Sequence, residues 1–247
     1  MENALLLNLS NQMVAQRTMD VISNNLANMN TTGFKRSSPV FQEYIVKVDA
    51  QSEFGRRKEP LSFVRDVASI SDMSNGELTT TGNQLDVAIE GDGFFTVSTP
   101  GGQRYTRNGN FGRDDTGRLV TSAGFPVLDE SGGEITFAPE ESNIRIARDG
   151  TISTDQGDRG RIGVVRFANP NDMKRTGDSL WETTQQGETV TGNIVQQGML
   201  EQSNVQPIVE MVRMIETMRS YQSSTELMGA TDDLSRRAVQ RLGDTRV

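Results

Sequence analysis

Three adjacent acidic pairs are the first candidates for chemistry in this chain. They are Asp114/Asp115, Glu140/Glu141 and Asp232/Asp233. Two carboxylates can hydrolyse a glycosidic bond when they face each other across it. Neighbouring side chains on a strand point to opposite faces of the sheet, so an adjacent pair does not form such a site. We therefore expect no catalytic residue.

Other reactive groups are missing from the sequence or have the wrong spacing. The 247 residues include no Cys and no His. This excludes thiol nucleophiles, disulfides, Cys/His zinc sites and imidazole catalysis. The glycines around Asp92 and Asn110 lack the spacing of a phosphate-binding loop. The carboxylates of residues 149–158 lack the spacing and the terminal Glu of a calcium loop. We expect no metal ion and no cofactor.

The N-terminal segment has the composition of a helix from about Asn3 to Asn28, roughly 39 Å at about 1.5 Å per residue. Its apolar side chains fall in three rows, whereas a helix that packs on one partner needs a single stripe. This pattern predicts several neighbours, supplied either by the helix's own domain or by other chains. The rows are Leu5, Leu6, Leu9 and Met13; Leu7, Val14 and Val21; and Ala15, Met19, Ile22 and Leu26.

The predicted first helix ends in a stretch rich in Asn and Thr. Gly33 can adopt the left-handed conformation that often terminates a helix, so we expect it to end this one. Phe34 follows, and we expect its ring to pack back onto the helix.

The C-terminal segment predicts a second long helix. Ser203 and Asn204 are good cap residues, and the helix could run from Ile208 to Leu242. Val205, Ile208, Val212 and Ile215 fit the a/d spacing of a coiled coil, as do Leu227 and Leu234. Such a helix needs a partner, and the N-terminal helix is the other long one available. We therefore expect the two to pair as a coiled-coil-like unit.

The middle of the chain predicts an antiparallel β domain. Twenty of the 24 glycines lie between Gly76 and Gly198, many in pairs that suit tight hairpin turns. Short alternating runs such as residues 85–90 lie between them. The fold class is thus α+β, mainly β with terminal helices. We expect an N-terminal helix in 1–35, a linking segment packed beside it in 36–75, a central β domain in 76–200 and a C-terminal helix in 203–247.

Charge is distributed unevenly along the chain. The total is −8, but residues 1–35 and 203–247 each contain equal numbers of acidic and basic residues. Ends without net charge can pack closely against copies of themselves. The acidic middle argues against nucleic acid as a partner. The first residues do not resemble a cleaved signal peptide, and no stretch is apolar enough to span a membrane.

Four further segments have recognisable sequence patterns and span nearly the whole chain. They are Ala27–Arg36, Gly76–Phe95, Arg104–Thr121 and Gly198–Tyr221. Together they resemble the flagellar rod and hook family of axial proteins, and they occur in the family's order. Within the family, the length and the Met-Glu-Asn start are most similar to the proximal-rod members.

This resemblance implies a structural subunit of the basal-body rod, exported by the flagellar type III apparatus without signal cleavage and assembled in the periplasm. It implies terminal helices packed in a tube wall with the β domain outside. The expected partners are copies of the chain and other rod subunits. The implied assembly residues are Leu6, Leu9, Met13, Val14, Met19, Ile22 and Leu26 of the first helix; Asn28, Asn30, Thr31, Gly33 and Phe34 after it; and Val205, Ile208, Val212, Ile215, Met218, Tyr221, Leu227 and Leu234 of the second.

Three alternatives remain open from the sequence. One is a distal-rod or hook-type subunit of the same family. Another is a secreted carbohydrate-active enzyme, suggested by the many carboxylates of the β domain. The third is a secreted binding module, which gives no reason for paired terminal helices.

Overall fold

Residues 2–27 contain neither Gly nor Pro, and their apolar side chains recur at helical spacing. In the computed structural model they form helix α1 (Glu2–Ala27), and a second helix, α2, spans Pro207–Asp244. Pro207 lies in the first turn of α2, where its missing N–H costs no hydrogen bond. The structure describes the backbone of residues 2–46, 61–190, 192 and 194–244, and the side chains of 7–42, 68–190, 192, 194–234 and 236–241.

The chain divides into two units, which we describe separately. The first, the helical unit, comprises Met1–Ala27, Ser37–Ser71 and Gln206–Val247. The second, the β unit, comprises Asn28–Arg36 and Asp72–Val205. The expected mixture of an N-terminal helix, many strands and a C-terminal helix is confirmed.

The helical unit contains a β hairpin between its two helices in sequence. Strands β1 (Ser37–Val46) and β2 (Leu61–Ser71) pair antiparallel, from Ser37 opposite Ser71 to Val46 opposite Leu61. The register shifts between Val40 and Phe41. Both strands contact α1, and α1 contacts α2. The hairpin therefore lies beside α1 as part of the helical unit.

The β unit consists of short antiparallel strands separated by glycine turns. Within the described residues its largest sheet has the order β13-β14-β6-β5-β12-β15. The strands are β3 (Leu78–Thr80), β4 (Val87–Ile89), β5 (Phe94–Thr99), β6 (Gly102–Thr106), β7 (Phe111–Arg113), β8 (Leu119–Thr121), β9 (Arg145–Ile146), β10 (Thr151–Thr154), β11 (Gly157–Arg161), β12 (Val164–Arg166), β13 (Lys174–Gly177), β14 (Leu180–Glu182), β15 (Glu188–Thr189), β16 (Val195–Gln197) and β17 (Met199–Glu201).

Two apolar clusters hold the β unit together. The larger one extends from Val87 to Val195 and contains Phe95, Val97 and Ile152, none of them measurably exposed. The smaller one includes Phe94, Phe167, Met173 and Trp181. Burial of so much aliphatic and aromatic surface is the main force that stabilises this unit.

The last strands bring the C-terminal part of the β unit back to its beginning. Strand β17 pairs with β3, so that Glu201 lies opposite Leu78. Strand β16 pairs with β4. These pairings position the residues of the candidate site.

Candidate functional site

The four segments that carry the family resemblance meet inside the β unit. Lys35 comes from the first segment, Gly76 from the second, Arg107 from the third and Glu201 from the fourth. We call Lys35, Arg107 and Glu201 the ionic cluster. The side chains of Lys35 and Glu201 are each 1% exposed, and that of Arg107 is 3% exposed.

Glu201 is the acceptor at the centre of the ionic cluster. Its Oε1 accepts from Lys35 Nζ at 2.6 Å and from the Gly76 backbone N–H at 2.9 Å. Its Oε2 accepts from Arg107 Nη1 at 3.3 Å. A buried carboxylate needs such partners because it has lost its hydration.

Arg107 connects the cluster to neighbouring loops. Its Nη2 donates to the Gly91 carbonyl at 2.6 Å and to Asn75 Oδ1 at 3.1 Å. Its guanidinium lies 5.3 Å from the ring centroid of Phe94. The side chain therefore fixes three segments of the β unit relative to one another.

Burial lowers the pKa of Lys35, and the nearby Arg107 cation lowers it further, whereas the Glu201 carboxylate opposes both effects. Burial also lowers the pKa of Arg107. The cluster contains two cations and one anion, so the charged states of both cations depend on Glu201.

Asn204 holds the chain on either side of the cluster. Its Oδ1 accepts from the Arg36 backbone N–H at 2.7 Å. Its Nδ2 donates to the carbonyl of Asp72 at 2.9 Å and to that of Ser74 at 3.1 Å. One amide thus links three segments that are distant in sequence. The sequence suggested a helix cap at Asn204, but α2 begins later, at Pro207.

Gly33 does not end α1, so that prediction is wrong: the helix stops at Ala27. Gly33 does have the left-handed φ of +65°. Its N–H donates to the Glu201 carbonyl at 2.8 Å. A Cβ at this position would lie 2.5 Å from the backbone of Arg107 and Asn108. Close approach of two chain segments is therefore the reason for a glycine here.

Phe34 is buried in the β unit. The guanidinium carbon of Arg175 lies 3.9 Å from the Phe34 ring centroid and 5.9 Å from the Trp181 ring. This stack lies within the β unit, to which Phe34 belongs. Burial lowers the pKa of Arg175.

The remaining polar residues of the first segment have both local and distant partners. Thr31 donates its N–H to the Asn28 carbonyl at 3.1 Å and its hydroxyl to Asn28 Oδ1 at 3.2 Å. Thr32 Oγ1 donates to Asn108 Oδ1 at 2.7 Å. Asn30 is exposed.

A second buried polar group lies in the helical unit, where Asn25 joins three elements. Its Nδ2 donates to the Ser37 carbonyl at 2.8 Å and to Glu210 Oε2 at 3.1 Å. Its Oδ1 accepts from the Ser37 N–H at 2.9 Å. Glu210 Oε1 accepts from Arg213 Nη1 at 3.1 Å. These bonds link α1, the start of β1 and the first turns of α2.

The two helices run antiparallel. Asn25 bonds Glu210 near one end of the pair, and Gln12 Nε2 donates to Thr225 Oγ1 at 3.2 Å farther along. Between these contacts lies a groove of about 380 Å³ lined by Asn11, Val14, Ala15, Thr18, Glu216, Thr217, Ser220 and Ser224.

The less exposed stripe of α2 is not the row expected from the a/d spacing. Ile208, Val212 and Ile215 of the expected row are exposed, as are Leu227 and Leu234. The less exposed side chains recur every three or four residues instead. They are Glu210, Met214, Thr217, Tyr221, Ser224, Met228 and Thr231.

The other residues expected at assembly contacts differ in their burial. In α1, Leu9 and Met13 are exposed, Ile22 is buried, and Leu6 lies outside the described side chains. In the C-terminal segment Met218 is exposed, and Val205 is buried in the β unit before α2 begins. The partly buried members are Val14, Met19, Leu26 and Tyr221.

Sequence reasoning missed most of the buried polar residues. Lys35, Arg107 and Glu201 are charges of opposite sign within the segments that carry the resemblance, but their spacing does not show that they are partners. Asn25 belongs to the Asn-rich end of the first helix, and no local pattern distinguishes it from Asn24. The missed residues are Asn25, Lys35, Arg107, Glu201, Asn204 and Glu210.

The acidic pairs form hydrogen bonds and ion pairs within the chain. Asp114 accepts from the hydroxyl of Thr116 and from Arg118, and these bonds lower its pKa, which is the opposite of what a general acid needs. Glu141 pairs with Arg159, and Asp232 pairs with Arg236.

Two kinds of feature are missing from the part of the chain that the structure describes. It contains no group of three or more carboxylates placed to hold a metal ion. Neither of its two long helices has an apolar stretch sufficient for crossing a membrane.

Three family models match the chain. Residues 8–35 match the model for the flagella basal body rod protein. Residues 88–154 match the flagellar hook protein FlgE/F/G D1 domain, and residues 196–241 match the flagellar basal body rod FlgEFG protein C-terminal model. The matches include the segments that supply Lys35 and Glu201.

Individual relatives are similar over the full length. The flagellar basal-body rod protein FlgF of Caulobacter vibrioides is 42% identical over 98% of this chain and 99% of its own. FlgF of Mesorhizobium japonicum is 32% identical over the same shares. The flagellar basal-body rod protein FlgG of Bacillus subtilis is 33% identical over 91% of this chain and 93% of its own.

Proposed function

The chain belongs to the flagellar basal-body rod protein family, FlgF-like along its full length, and we propose that it polymerises through the exposed apolar side chains of α1 and α2. It is a structural subunit of the rod in the flagellar basal body. The proposal concerns which surfaces make the polymer.

The observation that carries the proposal is the location of exposed apolar side chains. Soluble monomers rarely expose contiguous apolar patches, and larger ones usually mark an interaction site. Among the described residues of the β unit, large apolar side chains are mostly buried. The exposed ones on the helices are Leu7, Leu9, Met13, Ile208, Val209, Met211, Val212, Ile215, Met218, Leu227, Leu234 and Val239.

Charge supports contact between copies. The segments that contain α1 and α2 carry no net charge, whereas residues 71–202 carry an excess of acidic groups. Like charge would repel neighbouring copies at short distance. Packing through the helices avoids this repulsion and leaves the acidic β unit outside the contacts between copies.

The pairing of α1 with α2 inside one subunit is of coiled-coil type in this proposal. The less exposed stripe of α2, from Glu210 to Thr231, recurs at alternating steps of four and three residues. That is the spacing of a heptad seam. The intramolecular seam then uses this stripe and leaves the apolar row of Ile208, Val212 and Ile215 for neighbouring subunits.

The partners are copies of this chain and other rod subunits, proximal and distal. The β unit carries no catalytic role. The axial core expected in 1–35 and 203–247 is then limited to residues 1–27 and 206–247, with residues 37–71 beside it, because residues 28–36 and 72–205 belong to the β unit, which forms the outer domain. The chain is exported by the flagellar type III apparatus without a cleaved signal peptide and assembles in the periplasm, as a proximal-rod member of the family.

The assembly residues divide by burial in this proposal. The exposed ones, such as Met13, Ile208 and Leu234, contact neighbouring subunits. The buried ones, Ile22, Phe34 and Val205, act by holding the subunit in the shape that polymerises.

The test changes the apolar row of Ile208, Val212 and Ile215 on α2. The double variant Ile208→Asp/Ile215→Asp places two charges where the proposal requires apolar contact. Expressed in a strain that lacks the gene, it should leave the monomer folded and abolish both rod assembly and swimming. The control is Gln103→Asp/Gln156→Asp, which adds the same charges at exposed positions of the β unit. Normal rods from the first variant would refute the proposal.

A further inference from the structure

The contacts of the ionic cluster join residues that are far apart in sequence. Lys35 and Glu201 are separated by 166 positions, Gly76 and Glu201 by 125, and Arg107 and Glu201 by 94. The buried members of the main apolar cluster lie between Val87 and Val195, so none of them belongs to residues 33–36 or 198–204. The chain can therefore assemble this core before residues 198–204 return to the first segment.

Residues 198–204 connect the end of the β unit to its beginning. Gly198 donates its N–H to the Asp86 carbonyl at 2.8 Å and accepts from the N–H of Thr81 at 2.8 Å. The Glu201 carboxylate accepts hydrogen bonds from Lys35, Gly76 and Arg107. The Glu201 backbone carbonyl accepts one from the Gly33 N–H. We call residues 198–204 the closing segment.

The cluster is stable only when all its members are present. Lys35 and Arg107 are both buried cations, and Glu201 is the carboxylate that forms ion pairs with both of them. Removing one partner from a buried ion group leaves an uncompensated charge, which is strongly unfavourable. Contacts between residues far apart in sequence also cost loop-closure entropy before they contribute stability, and those of Glu201 span 94 to 166 positions.

We propose that the closing segment is a latch that engages last in folding, so that the β unit stays open until Glu201 meets Lys35 and Arg107. The apolar core forms first, and the cluster then fixes residues 33–36, 72–76 and 198–204 in one step. The consequence for assembly rests on the proposed function. If the subunit is delivered by export, the latch keeps the β unit open until residues 198–204 have left the export channel.

The test is a kinetic one on the full-length monomer. Trp181 is the single Trp and is buried in the β unit, so its fluorescence reports on that unit. Folding and unfolding rates are measured over a range of urea concentrations for the chain and for Glu201→Gln, which keeps the side-chain size but removes the charge. A contact that forms after the transition state changes unfolding rather than folding.

The expected result is an unfolding rate at least tenfold faster and a folding rate within twofold of the unmodified chain. If slower folding accounts for the whole loss in the free energy of unfolding, Glu201 belongs to the folding nucleus and the latch is overturned. The matched control is Glu182→Gln, whose carboxylate is half exposed beside Arg104 and should change neither rate by more than twofold.

A second variant covers the case in which Glu201→Gln does not fold. Asn204→Ala removes the hydrogen bonds to Arg36, Asp72 and Ser74 but leaves every buried charge with its ion-pair partner. It should likewise accelerate unfolding alone, and slowed folding of this variant would refute the latch. Both measurements use monomer, so their outcome is independent of whether the apolar row of α2 makes polymer contacts.

Discussion

Lys35 Nζ lies 2.6 Å from Glu201 Oε1, although 166 positions separate the two residues. This ion pair joins the short segment after α1 to the last strand of the β unit, which is why residues 28–36 belong to that unit. A segment that begins as the continuation of a helix is thus fixed by the C-terminal end of a β domain.

Substituting Gly33 tests whether the close approach of two chain segments matters. Gly33→Ala puts a Cβ 2.5 Å from the backbone of Arg107 and Asn108, in a left-handed conformation. We expect it to destabilise the β unit by more than about 3 kcal/mol. Urea denaturation followed by Trp181 fluorescence measures this.

The control for Gly33 is Gly82→Ala. Gly82 has a similar φ of +75°, but a Cβ there would meet nothing within 4 Å. Only the backbone strain of about 1 kcal/mol should appear. Equal losses in the two variants would show that strain, rather than contact, sets the effect at Gly33.

Removing the amide of Asn25 should weaken the helical unit. Asn25→Ala leaves the Ser37 backbone without its side-chain partners and removes one donor to Glu210. Each buried group left without a bond costs about 1–3 kcal/mol. The Tm of thermal unfolding, monitored by the circular dichroism signal of the helices, should therefore fall. Asn11→Ala changes an exposed Asn of the same helix and should lower the Tm much less.

Of two C-terminal deletions, the shorter should leave the β unit folded and the longer should unfold it. Deleting residues 206–247 keeps Glu201, Asn204 and the buried Val205, so Trp181 should remain in its native environment. Deleting residues 198–247 removes the partner of β3 and the anion of the ionic cluster. Its Trp181 emission should shift towards that of the unfolded chain. Native emission from the longer deletion would contradict the importance of the closing segment.

Acid should remove the stabilisation that comes from Asp114. Hydrogen bonds from Thr116 and Arg118 lower its pKa below the ordinary 3.8. A lowered carboxyl pKa contributes stability above the unfolded-state pKa, and this contribution is lost as the pH falls through the folded-state pKa. The Tm difference between the chain and Asp114→Asn should therefore be largest near neutral pH and shrink below about pH 3.8. A pH-independent difference would rule out this linkage.

The predicted α2 row shows where local periodicity stops being informative. Ile208, Val212 and Ile215 have the spacing of a coiled-coil seam, and the sequence favoured them as the face turned to the partner helix. The structure turns Glu210, Met214 and Thr217 to a less exposed side instead. A helix can carry two stripes with the same period, and only the packed fold shows which one is used within the subunit.

Glycine turns and apolar periodicity determined the order of the elements, because a hairpin or a helix depends on residues within a few positions of each other. The sequence alone therefore established a helix at each end, an antiparallel β domain between them and, through four segments, the family. The fold decided that Lys35, Arg107 and Glu201 share one buried cluster and that Gly33 serves a close contact. Those relationships join residues up to 166 positions apart, and no local pattern records which distant charges the chain will bury together.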